Sequence, residues 1–187
     1  FGEQGDHFGR AIELLAETHR QAGMQGMNNR RFWQDDFAPE RSPRNIEASA
    51  ARLLGAVRPA IEHLEACQEQ ASVNRDLLAY FLFGAQRMEL IGQRMLDGLE
   101  AARLYTRACD STVEQAVPLL KEVEALVEKN RVAYESLGRQ FEALWRAESK
   151  PYALDWTLDR YAAAVTRYEA LAGQVADARG KAEAGQP

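Results

Sequence analysis

The sequence predicts an all-α protein, an antiparallel up-down-up-down four-helix bundle of long helices with a short N-terminal helix and an anchored loop before it. Three observations predict it. Between Val113 and Leu144, apolar or small residues recur three and four apart at Val113, Ala116, Leu120, Val123, Val127, Tyr134, Leu137, Phe141 and Leu144. That spacing is the buried stripe of a helix. At about 1.5 Å per residue the rod is roughly 50 Å long, so only other long helices can cover it. Similar stripes occupy three further stretches, and the connections between the four are short enough to fold each helix back on the last. No run of alternating residues supports a sheet.

The first short helix is expected from Asp6 to about Arg20, with Phe8, Ala11, Ile12, Leu15 and Ala16 on one face and Asp6 as its N-cap. Gly23 signals its end. Gly23 to Pro43 holds two Gly, two Pro, paired Asn and the cluster Arg30, Arg31, Phe32, Trp33, Asp35, Asp36 and Phe37. Its rings are large apolar surfaces, so the connection is expected to be pinned onto the bundle through Phe32, Trp33 and Phe37.

From Asn45 the stripe is Ile46, Ala50, Leu53, Val57, Ala60, Leu64, Cys67 and Ala71. Pro59 inside it deletes one hydrogen bond and crowds the carbonyl of Gly55, which predicts one kinked helix rather than two. Ser72 or Asn74 is expected to cap the next helix, with Leu77, Phe81, Gly84, Met88, Ile91, Met95, Leu99, Ala102 and Tyr105 inward. Gly84, Gly92 and Gly98 cost helix propensity, about 1 kcal/mol each, and are read as marking close approach to neighbouring backbone.

Asp110, Ser111 and Thr112 make the next turn, with Ser111 and Glu114 spaced as a capping box. Pro118 lies within two turns of that start. The helix is expected to end near Ser149, because Pro151 disfavours helical geometry at Lys150 while suiting the first turn of a last helix. That helix carries Leu154, Leu158, Tyr161, Val165, Tyr168, Ala172 and Val175, and after Asp177 the tail should fray. The expected division is 1–43 for the short helix and connection, 44–179 for the bundle and 180–187 for the tail.

Composition narrows the function classes. A net charge of −5 and no basic stripe argue against nucleic acid, and no apolar run reaches the length of a membrane span. The chain opens at Phe1 without Met, which suggests a piece of a longer polypeptide. Cys67 and Cys109 lie too far apart along the hairpin to pair, and both are read as core or near-core residues.

Candidate chemistry is sparse. A bundle metal site needs Glu-x-x-His pairs aimed inward, and none of His7, His19 or His63 has a Glu three residues before it. Metal: none, and cofactors: none, are the expectations. His7 and His19 read as surface or capping groups, and His63 falls beside its seam. Neither cysteine lies in a Gly-framed elbow, the serines sit at caps or turns, and no phosphate loop is present. Asp35 and Asp36, the only adjacent carboxylates worth weighing as an acid/base pair, read as solvated turn residues.

Asn130 is the single polar intrusion in the central stripe, read as a partly exposed seam edge, with a register-setting role as the rarer case. The four stripes are expected to satisfy one another with apolar side chains, leaving no ionisable group inside. Binding candidates are Trp33, which could face a sugar or a protein although burial is the commoner fate, and Trp145, with a weaker idea of a small pocket near Gly84, Met88 and Trp145.

The segment Phe141-Glu-Ala-Leu-Trp145-Arg-Ala-Glu148-Ser-Lys-Pro151-Tyr152-Ala-Leu154-Asp155 resembles a phrase near the C-terminus of some bacterial glycoside hydrolase family 20 proteins, relatives of β-N-acetylhexosaminidases. There it runs as Phe, two variable residues, Leu-Trp, then Glu-Asn-Arg-Pro and Leu-Asp before a final helix. Ser149 and Lys150 stand where the pattern has Asn and Arg. The likeness covers about fifteen residues. It implies a parent enzyme whose (β/α) barrel lies before Phe1 and carries an Asp-Glu pair working through the substrate's acetamido group. No position here matches that pair, so no catalytic residue is carried over. The expected role is a noncatalytic helical appendage that buttresses the barrel or its assembly, with the catalytic domain of the same polypeptide, or a second copy, as partner. The alternative is an independent helical protein-interaction or oligomerisation module.

Overall fold

The computed structural model describes residues 2–20, 32–33, 46–150 and 152–185. Among these residues there are five α-helices and no strand. A 3-10 turn, Gly2–Gln4, leads into α1, Gly5–Arg20. Then come α2, Ile46–Gln70, α3, Arg75–Cys109, α4, Val113–Glu148, and α5, Leu154–Glu183. Each of the long helices packs on the next in sequence, and α1 packs on α2.

Helix ends follow different physics from that expected. Asp6 lies in the first turn of α1 rather than before it, where a carboxylate still complements the helix dipole. Asn74 does precede α3, but it works by adopting the left-handed conformation, φ 54°, with no side-chain cap bond. Ser111 is not half of a capping box. Its hydroxyl turns back and donates to the Arg107 carbonyl at 2.6 Å, closing α3, while Thr112 stands at the N-cap of α4. The last helix opens at Leu154 after a left-handed Ala153, φ 62°, and it continues to Glu183, so the tail expected to fray after Asp177 is helical instead. Gly23, Phe37 and Pro151 lie outside the described residues.

The α4 stripe is buried from Ala116 to Leu137, although Val113 at its start is exposed. The α2 stripe is buried from Ile46 to Cys67 in one continuous helix through Pro59. The α3 stripe expected from the sequence is only part of the buried face. Leu77, Phe81 and Tyr105 are exposed, whereas Leu78, Ala85, Leu90, Gly92, Arg94, Asp97, Ala101, Leu104 and Ala108 are buried beside Ile91 and Met95. The reason is that α3 is covered from two directions. Arg58 and Glu47 of α2 meet Glu89 and Arg103, while Lys129 and Asn130 of α4 meet Asp97. A helix covered on two sides buries a wide arc, and a single stripe cannot describe it.

The glycines divide accordingly. A Cβ on Gly92 would lie 2.8 Å from Leu54 Cγ and 3.3 Å from Leu53 Cδ2, so α2 approaches α3 closely there, through side chains rather than backbone. Gly98 is buried. A Cβ on Gly84 would meet nothing within 4 Å. Gly84→Ala is therefore expected to raise unfolding stability by up to about 1 kcal/mol. In Gly92→Ala the same gain is outweighed by overpacking, about 1–3 kcal/mol, so denaturant midpoints of the two variants should move in opposite directions. Sequence reasoning missed Gly138, whose Cβ would lie 3.2 Å from Tyr161 Cβ where α4 meets α5.

Candidate functional site

Two places stand out from the packing: a buried polar centre at mid-length and an exposed aromatic corner at one end.

The polar centre joins α3, α4 and the described pair Phe32–Trp33. Arg94 is wholly buried and is the bulkiest such side chain. Its Nη1 donates to the Phe32 carbonyl at 2.5 Å and to the Tyr134 hydroxyl. Tyr134 in turn donates to the same Phe32 carbonyl at 2.5 Å. The Phe32 ring lies against Tyr134 and Tyr161, with the Arg87 guanidinium 4.3 Å above its centroid. Phe32 is therefore held by its backbone oxygen and its ring together.

One turn along α3, Asp97 is also buried, and accepts from Gln93 Nε2 at 2.8 Å, Lys129 Nζ at 3.0 Å and Asn130 Nδ2 at 2.9 Å. Asn130 is 1% exposed, so it is no seam edge. Its amide also donates to the Leu126 carbonyl, while its Oδ1 accepts no hydrogen bond. The expectation of a wholly apolar interior thus fails at Arg94 and Asp97. Both sit beside Ile91 and Met95 at helical spacing, and Asn130 on the facing stripe was the signal that could have found them. A buried carboxylate with three donors is satisfied without an ion.

Trp33 is half-buried, its ring 4.9 Å from Tyr161 and edge-on to it. The structure therefore places this candidate against the core, close to Tyr134, and not with Trp145. Burial pushes the Tyr161 phenol up to about 12 from its ordinary value of 10.0, with Tyr134 adding to the rise and Arg87 opposing it. Between those two values the unfolded chain releases a proton that the folded one keeps, so stability falls as pH rises through that window. In Tyr161→Phe that alkaline slope is expected to flatten, as read from denaturant midpoints across the window.

The corner lies between α4 and α5. Trp145 is half-buried beside Phe141, ring centroids 5.6 Å apart, and its Nε1 donates to the Lys150 carbonyl at 3.0 Å. That bond closes the end of α4. Tyr80 of α3 reaches the same end, donating to the Leu144 carbonyl at 3.4 Å. Burial raises its phenol above the ordinary value, and the Glu148 carboxylate adds to the rise. Just past Trp145, Tyr152 is 81% exposed and Trp156 is 73% exposed. With Val73, Leu77 and Phe81 near the α2–α3 turn, they place toward one end five of the eight large exposed apolar side chains among the described residues. Trp156 lies just outside the resembling phrase and off the apolar stripe expected for the last helix.

Other candidates are dispersed. Cys67 is buried, its thiol raised by that burial, but Cys109 is exposed and so is not a core residue. It lines a groove of about 540 Å³ with Tyr105, Leu120 and Lys181. His7 is exposed and His63 half-buried, and the two face one another, Nδ1 to Nδ1 at 2.9 Å. Asp35, Asp36 and the side chain of His19 lie outside the described residues. Among the described residues no group of three or more His, Cys, Asp or Glu is placed to hold a metal ion, and no helix is long and apolar enough to cross a membrane.

No protein-family model matches the chain, and neither a curated protein nor a solved structure matches it.

Proposed function

We propose that the chain is a noncatalytic helical accessory domain of a larger glycoside hydrolase of the β-N-acetylhexosaminidase type. In this reading its four long helices run alternately up and down as a bundle, and the end carrying the α4–α5 corner rests on the catalytic barrel of the same polypeptide. One observation carries the proposal. Tyr152 and Trp156, the two most exposed large apolar side chains described, fall within and directly after the segment that resembles family 20 proteins. Each such ring covers roughly 150–250 Å² when buried, and rings of these types anchor interfaces. The half-buried Trp145 serves the fold of the corner, and the exposed pair serves the contact.

The alternating direction of the helices has support in the ion pairs. Arg103, late in α3, meets Glu47 at the start of α2, and Arg179, late in α5, meets Glu124 near the start of α4. Neighbours that meet start to end run in opposite directions, and short turns produce that arrangement.

The test is to express the longer polypeptide and assay an aryl N-acetylglucosaminide. Hydrolysis by the parent, none by this chain alone, and a lower thermal midpoint of the parent in Trp156→Ser are the expected results. A coding sequence with no barrel before Phe1, or no hydrolysis by the parent, removes the proposal.

The same exposed rings favour a second reading, an independent interaction or oligomerisation module. Sedimentation of this chain at several concentrations separates the two. A dimer that forms with concentration and is abolished by Trp156→Ser favours the second reading, and a monomer throughout favours the first.

A further inference from the structure

We propose that His7 of α1 and His63 of α2 form a two-histidine site for a borderline transition ion, Zn²⁺ or Ni²⁺, which fastens α1 to α2. This inference is independent of the accessory-domain reading.

The two rings come from helices separated by the connection, and their Nδ1 atoms lie 2.9 Å apart, with ring centroids at 5.1 Å and planes tilted by 53°. Two neutral imidazoles can stand so only if one carries its proton on Nδ1 and the other presents a lone pair there. An ion can take the place of that proton. With Zn–N bonds of about 2.0–2.1 Å in tetrahedral geometry, two ligand nitrogens stand about 3.3 Å apart, so the pair needs to open by only about 0.4 Å. The ring that held its proton on Nδ1 shifts to the Nε2–H form, and both Nδ1 lone pairs then face the ion. Imidazole suits Zn²⁺ and Ni²⁺, whereas Mg²⁺ selects oxygen.

His7 is exposed and His63 is half-buried, so an ion can arrive from the His7 side and water can fill its remaining positions. Among the described residues no third protein ligand joins the pair, which makes this a reversible clamp and not a closed structural site. Its mechanical sense comes from what else holds α1 near this point. Gln4 Nε2 donates to Gln70 Oε1 at 2.9 Å, and the Cys67 thiol points at the Gln4 carbonyl at 3.7 Å. These are weak ties at the start of α1, and an ion at His7 adds a stronger one beside them. Binding to the folded state alone stabilises it by mass action.

The experiment uses the full chain with Zn²⁺, and Mg²⁺ as control, in equilibrium dialysis, thermal unfolding and amide exchange. Zn²⁺ is expected to bind, to raise the unfolding midpoint and to slow exchange of α1 amides, while Mg²⁺ does neither. In His7→Gln and in His63→Gln, substitutions outside the buried core, binding and protection should both be lost. Absence of Zn²⁺ binding by the unsubstituted chain overturns the proposal. So does binding retained in either variant, which would place the ion elsewhere, or binding that leaves α1 exchange unchanged.

Discussion

In Phe32→Ala, the free energy of unfolding is expected to drop by about 3–5 kcal/mol, the usual range for deleting a buried phenylalanine ring. Phe32 is 1% exposed, and its ring is shared among Trp33, Tyr134 and Tyr161, at 4.6, 5.2 and 5.8 Å between centroids. Those partners belong to α4 and α5 as well as to its own neighbour, so its removal leaves a hole that no single side chain can collapse into. The comparison is Tyr152→Ala, which deletes a ring of similar size from solvent and should change stability by no more than about 0.5 kcal/mol. Denaturant titration of both variants reads the difference. A loss below about 1 kcal/mol in Phe32→Ala would mean that this residue does not anchor the connection.

Arg94→Met tests the polar half of the same anchor. Methionine keeps much of the length and removes the guanidinium, so the two bonds from Nη1 disappear while Tyr134 still donates to the Phe32 carbonyl. Hydrogen bonds to charged groups contribute about 1.5–3 kcal/mol each. Relief from burying a charge offsets part of that, and the net expectation is a loss of about 2–4 kcal/mol. Because Arg94 and Phe32 hold the same residue to the same helices, the double variant should lose less than the sum, with a coupling of about 0.5–3 kcal/mol. Strict additivity would show that ring and carbonyl are held independently. An Arg94→Met protein as stable as the parent would show that the buried guanidinium is no net support.

The proposed contact lies on a different part of the molecule. In the polar centre Arg94, Asp97, Asn130 and Tyr134 are buried, which suits holding Phe32 and setting the match between α3 and α4. The α4–α5 corner has the opposite character, with large rings left in water beside a well-braced helix end. Under the proposed function stability and contact fall to separate residues, and substitutions in one should leave the other unaffected.

Helix content, the borders of α4 at Val113 and Glu148, and the burial of Phe32 were all legible in the amino-acid order, since each depends on local spacing or on the size of one side chain. Stripe residues in α2 and α4 were legible for the same reason. What only the tertiary structure decided was which arc of α3 faces inward, because that depends on neighbours arriving from two directions. It also decided the pairing of Arg94 with Tyr134 and of Asp97 with Asn130. A charge enters an interior only when partners supply its hydrogen bonds; for Arg94 and Asp97 most of these come from far along the chain, at Phe32, Tyr134, Lys129 and Asn130, and a one-dimensional pattern carries no record of them.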